Sequence, residues 1–148
     1  MMMWPIADLV PHSGQAILLD KVVRFDDDTL QALAIVPDAS PFHDEEGLLP
    51  NWMGLEFMAQ AVAAWAGCQA RAAGEDIVLG FLLGTRRYDC SIVHFTPGMS
   101  LIVDVERSLQ DASGMGVFEC RLSSGQEVLA TARLNVYRPK DPKSFTNE

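Results

Sequence analysis

The sequence is poor in basic residues and in cysteine. It contains 11 lysines and arginines against 20 aspartates and glutamates, so its formal net charge is −9. Binding to a nucleic-acid backbone requires clustered Lys and Arg, so the composition argues against nucleic acid as a partner. The three cysteines, Cys68, Cys90 and Cys120, are an odd number without CxxC spacing. This favours buried free thiols in a cytoplasmic protein over a disulfide framework.

Features of secreted and membrane proteins are also lacking. The first residues carry no basic region and no small-residue cleavage site, so no signal peptide is predicted. The apolar run 52–68 is short for a membrane span and contains Glu56, so we expect no membrane association. With 148 residues, of which 49% are hydrophobic and 21% charged, the chain is predicted to form one globular domain, 1–148, with a loose polar tail over 139–148.

Common catalytic and cofactor-binding patterns are missing as well. The sequence has no GxGxxG, no P-loop, no HExxH, no paired-cysteine metal site and no GxSxG elbow. The adjacent side chains of His43, Asp44 and Glu45 diverge, so they are not expected to bind a metal. We therefore predict neither a metal nor another cofactor.

The most informative segment that is present covers residues 48–73, a helix-length run interrupted near its start by Glu56 and Gln60. A helix that is apolar on every side is normally buried, and a buried carboxyl is costly unless it is paired or protonated. Because Glu56 and Gln60 are four residues apart, they are predicted to share one polar pocket. Apolar neighbours should raise the pKa of Glu56, as a general acid requires. The structural alternative is a carboxylate that satisfies the helix start, and spacing alone leaves both open.

The rest of the chain has the pattern of strands. A short helix is predicted over 4–10, and the long helix is predicted to be capped by Asn51 and to end near Gly67 or Gly74. A hairpin with three aspartates at its turn joins the first two strands, and a loop over 37–50 precedes the helix. The predicted strands cover 16–25, 29–36, 78–83, 86–90, 101–108, 116–123 and 128–137. The later turns are too short for parallel crossovers, so we predict an α+β fold with an antiparallel sheet.

Three histidines are candidate proton acceptors. His43 lies in the loop before the helix, where the chain could fold back towards Glu56, and His12 precedes the first strand. His94 lies at the end of a strand. A lone histidine is more often structural than catalytic. A loop histidine beside a buried carboxyl is the better base candidate, because the two groups separate proton acceptance from proton donation.

The order of these features resembles the hotdog-fold β-hydroxyacyl-acyl carrier protein dehydratases. The specific part of the resemblance is Glu-x-Met-Ala-Gln at 56–60. The segments 10–25, 80–106 and 119–138 are similar to the family's opening element, its strand pair with a Pro-Gly turn and its last hairpin. The family's His-Phe-Pro-Gly is replaced here by His43-Asp44-Glu45-Glu46, and its second Pro-Gly by Pro50-Asn51. These changes resemble the branch of the family found in aryl-polyene gene clusters.

The resemblance implies a curved antiparallel sheet wrapped around one long central helix, in a cytoplasmic homodimer or an assembly of dimers. It implies dehydration of a 3-hydroxyacyl chain on acyl carrier protein to the trans-2-enoyl thioester, without a cofactor. His43, or alternatively His12, would take a proton from C2, and Glu56 would protonate the departing 3-hydroxyl. The residues expected to bind the substrate, through backbone N–H groups at the helix start or through the shared polar pocket, are Asn51, Trp52, Gly54 and Gln60.

Basic residues of the second half of the chain are candidates for contact with the acidic carrier protein. Residues 75–148 hold eight of the 11 basic residues. Arg86, Arg87 or the region 138–140 could meet the carrier protein or its phosphopantetheine phosphate. The alternative is a set of solvated charges on strand faces. For the function, the alternatives are a hotdog thioesterase, in which Glu56 activates water, and a non-catalytic acyl-binding partner of an active paralogue.

Overall fold

One long helix and eight strands make up the part of the chain that the computed structural model describes, residues 4–10, 16–75, 81–110 and 113–137. The helix, α1, covers Gly54–Ala72, and short 3-10 turns cover Ile6–Asp8 and Asn51–Met53. The strands are β1 Lys21–Phe25, β2 Thr29–Ile35, β3 Leu49–Pro50, β4 Phe81–Cys90, β5 His94–Phe95, β6 Ser100–Gln110, β7 Met115–Ser124 and β8 Glu127–Tyr137.

Six of these strands form one sheet in the order β1-β2-β6-β7-β8-β4, and β3 pairs with β5 apart from it. Every pairing is antiparallel. Register shifts interrupt several pairings, and irregularities of this kind bend and twist a strand. The long helix packs against the curved sheet, which confirms the predicted α+β hotdog fold.

The predicted aspartate hairpin is present between β1 and β2. The carboxylate of Asp26 accepts hydrogen bonds from the N–H groups of Asp28 (2.9 Å) and Thr29 (2.8 Å) and from the Thr29 hydroxyl (2.9 Å). These bonds hold the pKa of Asp26 below its usual value. The side chains of Trp65 and Gln69 on α1 donate to the carbonyl of Asp26 at 3.2 and 2.6 Å. The turn is therefore closed locally and tied to the helix.

Only part of the surface of α1 is buried in this chain. Phe57 and Trp65 lie in the core, where their rings contact those of Phe95 (5.9 Å) and Phe118 (5.4 Å) edge-on. Each large apolar side chain buried in this way contributes about 1.5–3 kcal/mol. The helix positions that stay partly exposed are Leu55, Ala59, Ala63, Ala66 and Gln69. Burial of the helix on every side, which its apolar sequence indicates, would therefore need a second subunit over this face.

The helix ends also differ from the prediction. Asn51 does not cap α1, because it starts the 3-10 turn and its side-chain amide donates to the carbonyl of Ile92 at 3.1 Å. The helix stops just before Gly74, whose φ of +70° suits a left-handed C-terminal turn. Gly67, the other predicted end, lies inside the helix, where an added Cβ would collide with the backbone of Leu9.

Several predicted strand boundaries need correction. The first strand begins at Lys21 rather than at residue 16, and the N-terminal segment forms a 3-10 turn rather than an α-helix. The strands predicted separately over 78–83 and 86–90 are one bulged strand, β4, within the described residues. Residues 78–80 and the tail 139–148 lie outside the described residues. Within the described part of the chain, no helix has the length and apolarity to cross a membrane.

The prediction of buried free thiols holds for two of the three cysteines. All three are free, with Cys68 and Cys120 buried and Cys90 only partly so. Burial raises the pKa of the Cys68 thiol to about 11 and that of Cys120 to about 12. These two thiols therefore stay protonated and behave as small apolar side chains in the core.

Candidate active site

Glu56 lies in the first turn of α1 with its side chain exposed. It has no hydrogen-bond or ion-pair partner among the described residues. The neighbours that point into the core from this turn are Phe57 and Met58. The prediction that Glu56 is buried among apolar side chains of its own chain is therefore wrong, because the turn places them on the other side of the helix.

Gln60 is buried and its amide is used by the backbone of a neighbouring segment. The amide oxygen accepts the N–H of Leu18 at 2.9 Å, and the amide nitrogen donates to the carbonyl of Ala16 at 2.5 Å. Gln60 therefore ties the segment before β1 to the helix. It does not share a pocket with Glu56. Four residues rotate by about 40° more than a full helical turn, so Gln60 faces the core while Glu56 faces outwards.

His43 is fixed within its own loop. Its Nε2 lies 2.9 Å from the carbonyl oxygen of Pro37, and its Nδ1 lies 2.6 Å from the hydroxyl of Ser40. Because a carbonyl only accepts, Nε2 carries the proton, and the lone pair on Nδ1 of the neutral ring accepts from Ser40. Neither nitrogen is within ion-pair distance of Glu56, so the structure does not bring the predicted His43–Glu56 pair together within one chain.

The same loop holds a second histidine through Asp44. One oxygen of the Asp44 carboxylate accepts the N–H groups of Glu46 and Leu48, both at 2.9 Å. The other oxygen lies 3.2 Å from Nε2 of His94, which stands on β5 opposite Pro50. The backbone bond from Leu48 is the largest cause of a lowered pKa at Asp44. His94 was a candidate from its position at a strand end, but no pattern in the sequence indicates its pairing with Asp44.

Tyr88 on β4 fixes the start of the helix. Its hydroxyl donates to the carbonyl of Asn51 at 2.5 Å, and burial raises its pKa, with a further contribution from a hydrogen bond to Cys90. A Cβ on Gly54 would collide with this hydroxyl, so glycine is required there. Tyr88 was missed from the sequence, where the only signal is a glycine at the start of an apolar helix.

Two of the backbone donors predicted to bind the substrate already have acceptors. The N–H of Asn51 donates to the carbonyl of Val93 at 3.1 Å, and the N–H of Gly54 donates to the carbonyl of Asn51. A thioester oxygen at this end of the helix would have to share these donors or use others of the first turn. Trp52 is the third residue predicted to bind the substrate here, and its side chain is exposed at the surface.

An exposed aromatic pair lies next to the first turn of α1. Trp52 is 50% exposed and Phe42 is 44% exposed. Their rings meet edge-on, with centroids 6.2 Å apart and planes at 89°. Trp52 precedes Glu56 by about one helical turn, so the pair places apolar surface beside the carboxylate.

The remaining predictions concern His12 and metal binding. His12 lies outside the described residues. Among the residues that are described, no group of three His, Cys, Asp or Glu side chains is arranged to hold a metal ion.

Comparison with known proteins identifies the family. The family model described as ApeP-like, ApeP dehydratase, matches residues 4–147. The dehydratase heterocomplex ApeI:P from Xenorhabdus doucetiae matches with a TM-score of 0.88 and 32% identity, over 99% of this chain and 98% of that chain. No curated protein matches this chain.

More distant solved structures share the fold alone. An uncharacterised protein from Pyrococcus horikoshii matches with a TM-score of 0.64 and 13% identity, over 95% of this chain and 97% of that chain. A hypothetical thioesterase solved with coenzyme A from Streptococcus pneumoniae has a TM-score of 0.62 and 9% identity, over 80% of this chain and 84% of that chain.

The family model matches almost the whole chain, and this agrees with the family that the motif at 56–60 indicates. The segment 56–60 carries the specific part of the resemblance and opens the central helix. The predictions of a hotdog fold and of a dehydratase are confirmed, whereas the roles of the single site residues stay predictions. The chain belongs to the ApeP-like family of hotdog-fold dehydratases.

Proposed function

We propose that the protein dehydrates a 3-hydroxyacyl thioester to the trans-2-enoyl thioester in the cytoplasm, in an aryl-polyene type of pathway. The acyl chain is carried on the phosphopantetheine of an acyl carrier protein. The observation that carries the proposal is the carboxylate of Glu56, exposed and without a partner among the described residues, in a chain of a dehydratase family. Since the described structure does not use this carboxylate, it is free for proton transfer.

The reaction needs one proton donor and one proton acceptor. Protonated Glu56 gives its proton to the 3-hydroxyl as the C3–O bond breaks, and water leaves. A histidine takes the proton from C2, and the released electron pair forms the C2=C3 double bond. The thioester oxygen carries developing negative charge, which the positive end of the α1 dipole and a backbone N–H of its first turn would stabilise.

A second subunit would supply the burial that this chain alone does not give Glu56. The exposed carboxylate continues the partly exposed face of α1, and among the described strands β4 pairs with β8 alone. The related protein from Xenorhabdus doucetiae is a dehydratase heterocomplex. We infer that a hotdog subunit, a second copy or a different dehydratase, covers this face. Removal of water would favour the protonated form of the carboxyl, which a general acid needs.

Arg86 on β4 is the better supported of the predicted contacts with the carrier protein. Its side chain is exposed, whereas the neighbouring Arg87 forms an ion pair with Asp89 at 2.6 Å. A guanidinium without an ion pair among the described residues is available for a phosphate or for an acidic helix of the carrier protein. The region 138–140 lies outside the described residues.

The largest effect is expected from Glu56→Gln, which keeps size and polarity but removes the acid. We expect kcat/KM for a 3-hydroxyacyl thioester to fall by about 100- to 10,000-fold with the thermal unfolding midpoint unchanged. Glu106→Gln, at an exposed carboxylate of β6, is the matched control and should keep full activity. Undiminished turnover in the Glu56 variant would remove the proposed acid.

Incubation with a 3-hydroxyacyl thioester and with its saturated analogue separates the possible functions. Dehydration produces the enoyl thioester from the first substrate and nothing from the second. A thioesterase would release free thiol from both, and a non-catalytic partner would bind both without turnover.

A further inference from the structure

The identity of the base is the open question in the proposed reaction. A histidine that accepts a proton must be neutral and must keep one ring nitrogen with a free lone pair. His43 fails this requirement in the structure, because Pro37 and Ser40 occupy both of its nitrogens. The loop would have to change before His43 could act.

His94 meets the requirement. Its Nε2 lies 3.2 Å from the Asp44 carboxylate, which can only accept, so the neutral ring carries its proton on Nε2. Nδ1 then keeps its lone pair and has no hydrogen-bond partner among the described residues. A carboxylate that orients one nitrogen of an imidazole while the other faces the reaction is a recurring arrangement of general bases.

Asp44 is held firmly enough to orient the ring. One of its oxygens is fixed by the N–H groups of Glu46 and Leu48, which leaves the other oxygen for His94. The backbone N–H of Asp44 also donates to the carbonyl of Leu48 at 2.8 Å. Asp44 is the charged group that lies within ion-pair distance of His94, and His43 also acts electrostatically on this carboxylate, whereas Pro50 on β3 is uncharged.

Backbone pairing places His94 near the start of α1, the end that carries the proposed acid. His94 stands opposite Pro50, the residue directly before the turn that leads into the helix. The next residue, Phe95, packs on Phe57 in the core, while Glu56, adjacent to Phe57, faces outwards. On the loop side, Phe42 contacts Trp52, and Asp44 follows two residues later.

We propose that His94, oriented by Asp44, is the base that removes the C2 proton, and that His43 is a structural residue of the loop. The inference rests on the proposed function, in which Glu56 is the acid. The proton moves from C2 to Nδ1 of His94, which becomes an imidazolium stabilised by the Asp44 carboxylate, and water leaves from C3 with the proton of Glu56.

The test is the pH dependence of kcat/KM for His94→Gln, Asp44→Asn and His43→Gln, measured in the assembly that carries the activity. We expect His94→Gln to lose about 100- to 10,000-fold and to lose the acidic limb that reports protonation of the base. Asp44→Asn should retain more activity but shift this limb to lower pH, because the carboxylate no longer stabilises the imidazolium. His43→Gln should keep the limb in place.

Each other outcome overturns the inference. Wild-type kcat/KM in His94→Gln removes His94 from the reaction. If kcat/KM of His94→Gln falls but its acidic limb is unchanged, or if a lower unfolding midpoint accounts for the fall, His94 has a positioning role only.

If His94→Gln does not fold, Asp44→Asn gives the answer. An acidic limb at the wild-type pH in that variant would also assign His94 a positioning role only. Loss of the limb in His43→Gln makes His43 the base. Activity in Glu56→Gln would instead contradict the proposed function, so the two failures are distinguishable.

Discussion

The strands β6–β8 and the segment 37–56 are built by different forces. In β7 buried and less buried residues alternate, and the three strands pair over most of their length. The segment 37–56 has a two-residue strand, a 3-10 turn and a loop, in which side chains bonded to backbone or to each other add to a few backbone hydrogen bonds. The strands are stabilised by burial that is spread over many residues. In the segment, single side-chain hydrogen bonds fix the positions of His43, Asp44 and Asn51.

This difference predicts opposite consequences of substitution in the two regions. A change in the strands should cost stability and leave the chemistry of the remaining folded protein intact. A change in the segment should cost little stability and much activity. Substitutions in the strands and in the segment test that division, and a change in the separate Asp26 hairpin is expected to have the smallest effect.

The largest effect on stability is expected from Leu134→Ala in β8. Leu134 is fully buried in the core, so its truncation should reduce the free energy of unfolding by about 2–5 kcal/mol. Urea unfolding measures this loss, and kcat per folded molecule should be unchanged. An equally large loss of kcat in the folded fraction would break the comparison, because it would show that the strands also set the site.

A smaller effect on stability and a larger one on activity are expected from Gly54→Ala. The added Cβ collides with the hydroxyl of Tyr88, so the start of α1 must shift, and Glu56 shifts with it. We expect activity to fall about 10- to 100-fold for a displacement near 1 Å. Gly84→Ala on β4 is the matched control, since its Cβ would enter open space.

Combination with Tyr88→Phe sharpens the same test. Removal of the hydroxyl takes away the closest contact of the added Cβ but leaves the ring carbon Cζ at 3.0 Å, and it costs the bond to Asn51, worth about 0.5–1.5 kcal/mol. The double variant should therefore recover part of the activity that Gly54→Ala alone loses. Additive losses in kcat/KM would mean that the two residues do not interact.

The smallest effect concerns the Asp26 hairpin, which belongs to neither region. Its folded-state pKa lies below the unfolded value of 3.8, so its stabilisation is present above that value and is lost as pH falls through the lower folded-state pKa. Asp26→Asn should therefore weaken the acid dependence of unfolding measured by urea titration. An identical acid dependence in the variant would show that the carboxylate contributes nothing to folding.

Much of the architecture could be predicted because it depends on pattern. Alternating apolar residues located β6, β7 and β8, and three successive aspartates located the first hairpin. The boundaries of β1 and β4 were less predictable, since apolar character alone does not show where ladder hydrogen bonds begin. Glu56 could be selected as a candidate because a carboxylate in an apolar run is unusual, but its exposure could not.

The sequence by itself determined the fold class, the hairpin, the long helix and the family, because periodicity and a short motif are local properties of the chain. Only the tertiary structure decided which polar atoms meet. Tyr88 reaches Asn51 from 37 positions away, and Asp44 reaches His94 across the β3–β5 pair. It also decided that Glu56 faces outwards while Gln60 faces inwards. Contacts of this kind depend on where several elements pack in space, and no spacing along the chain encodes them.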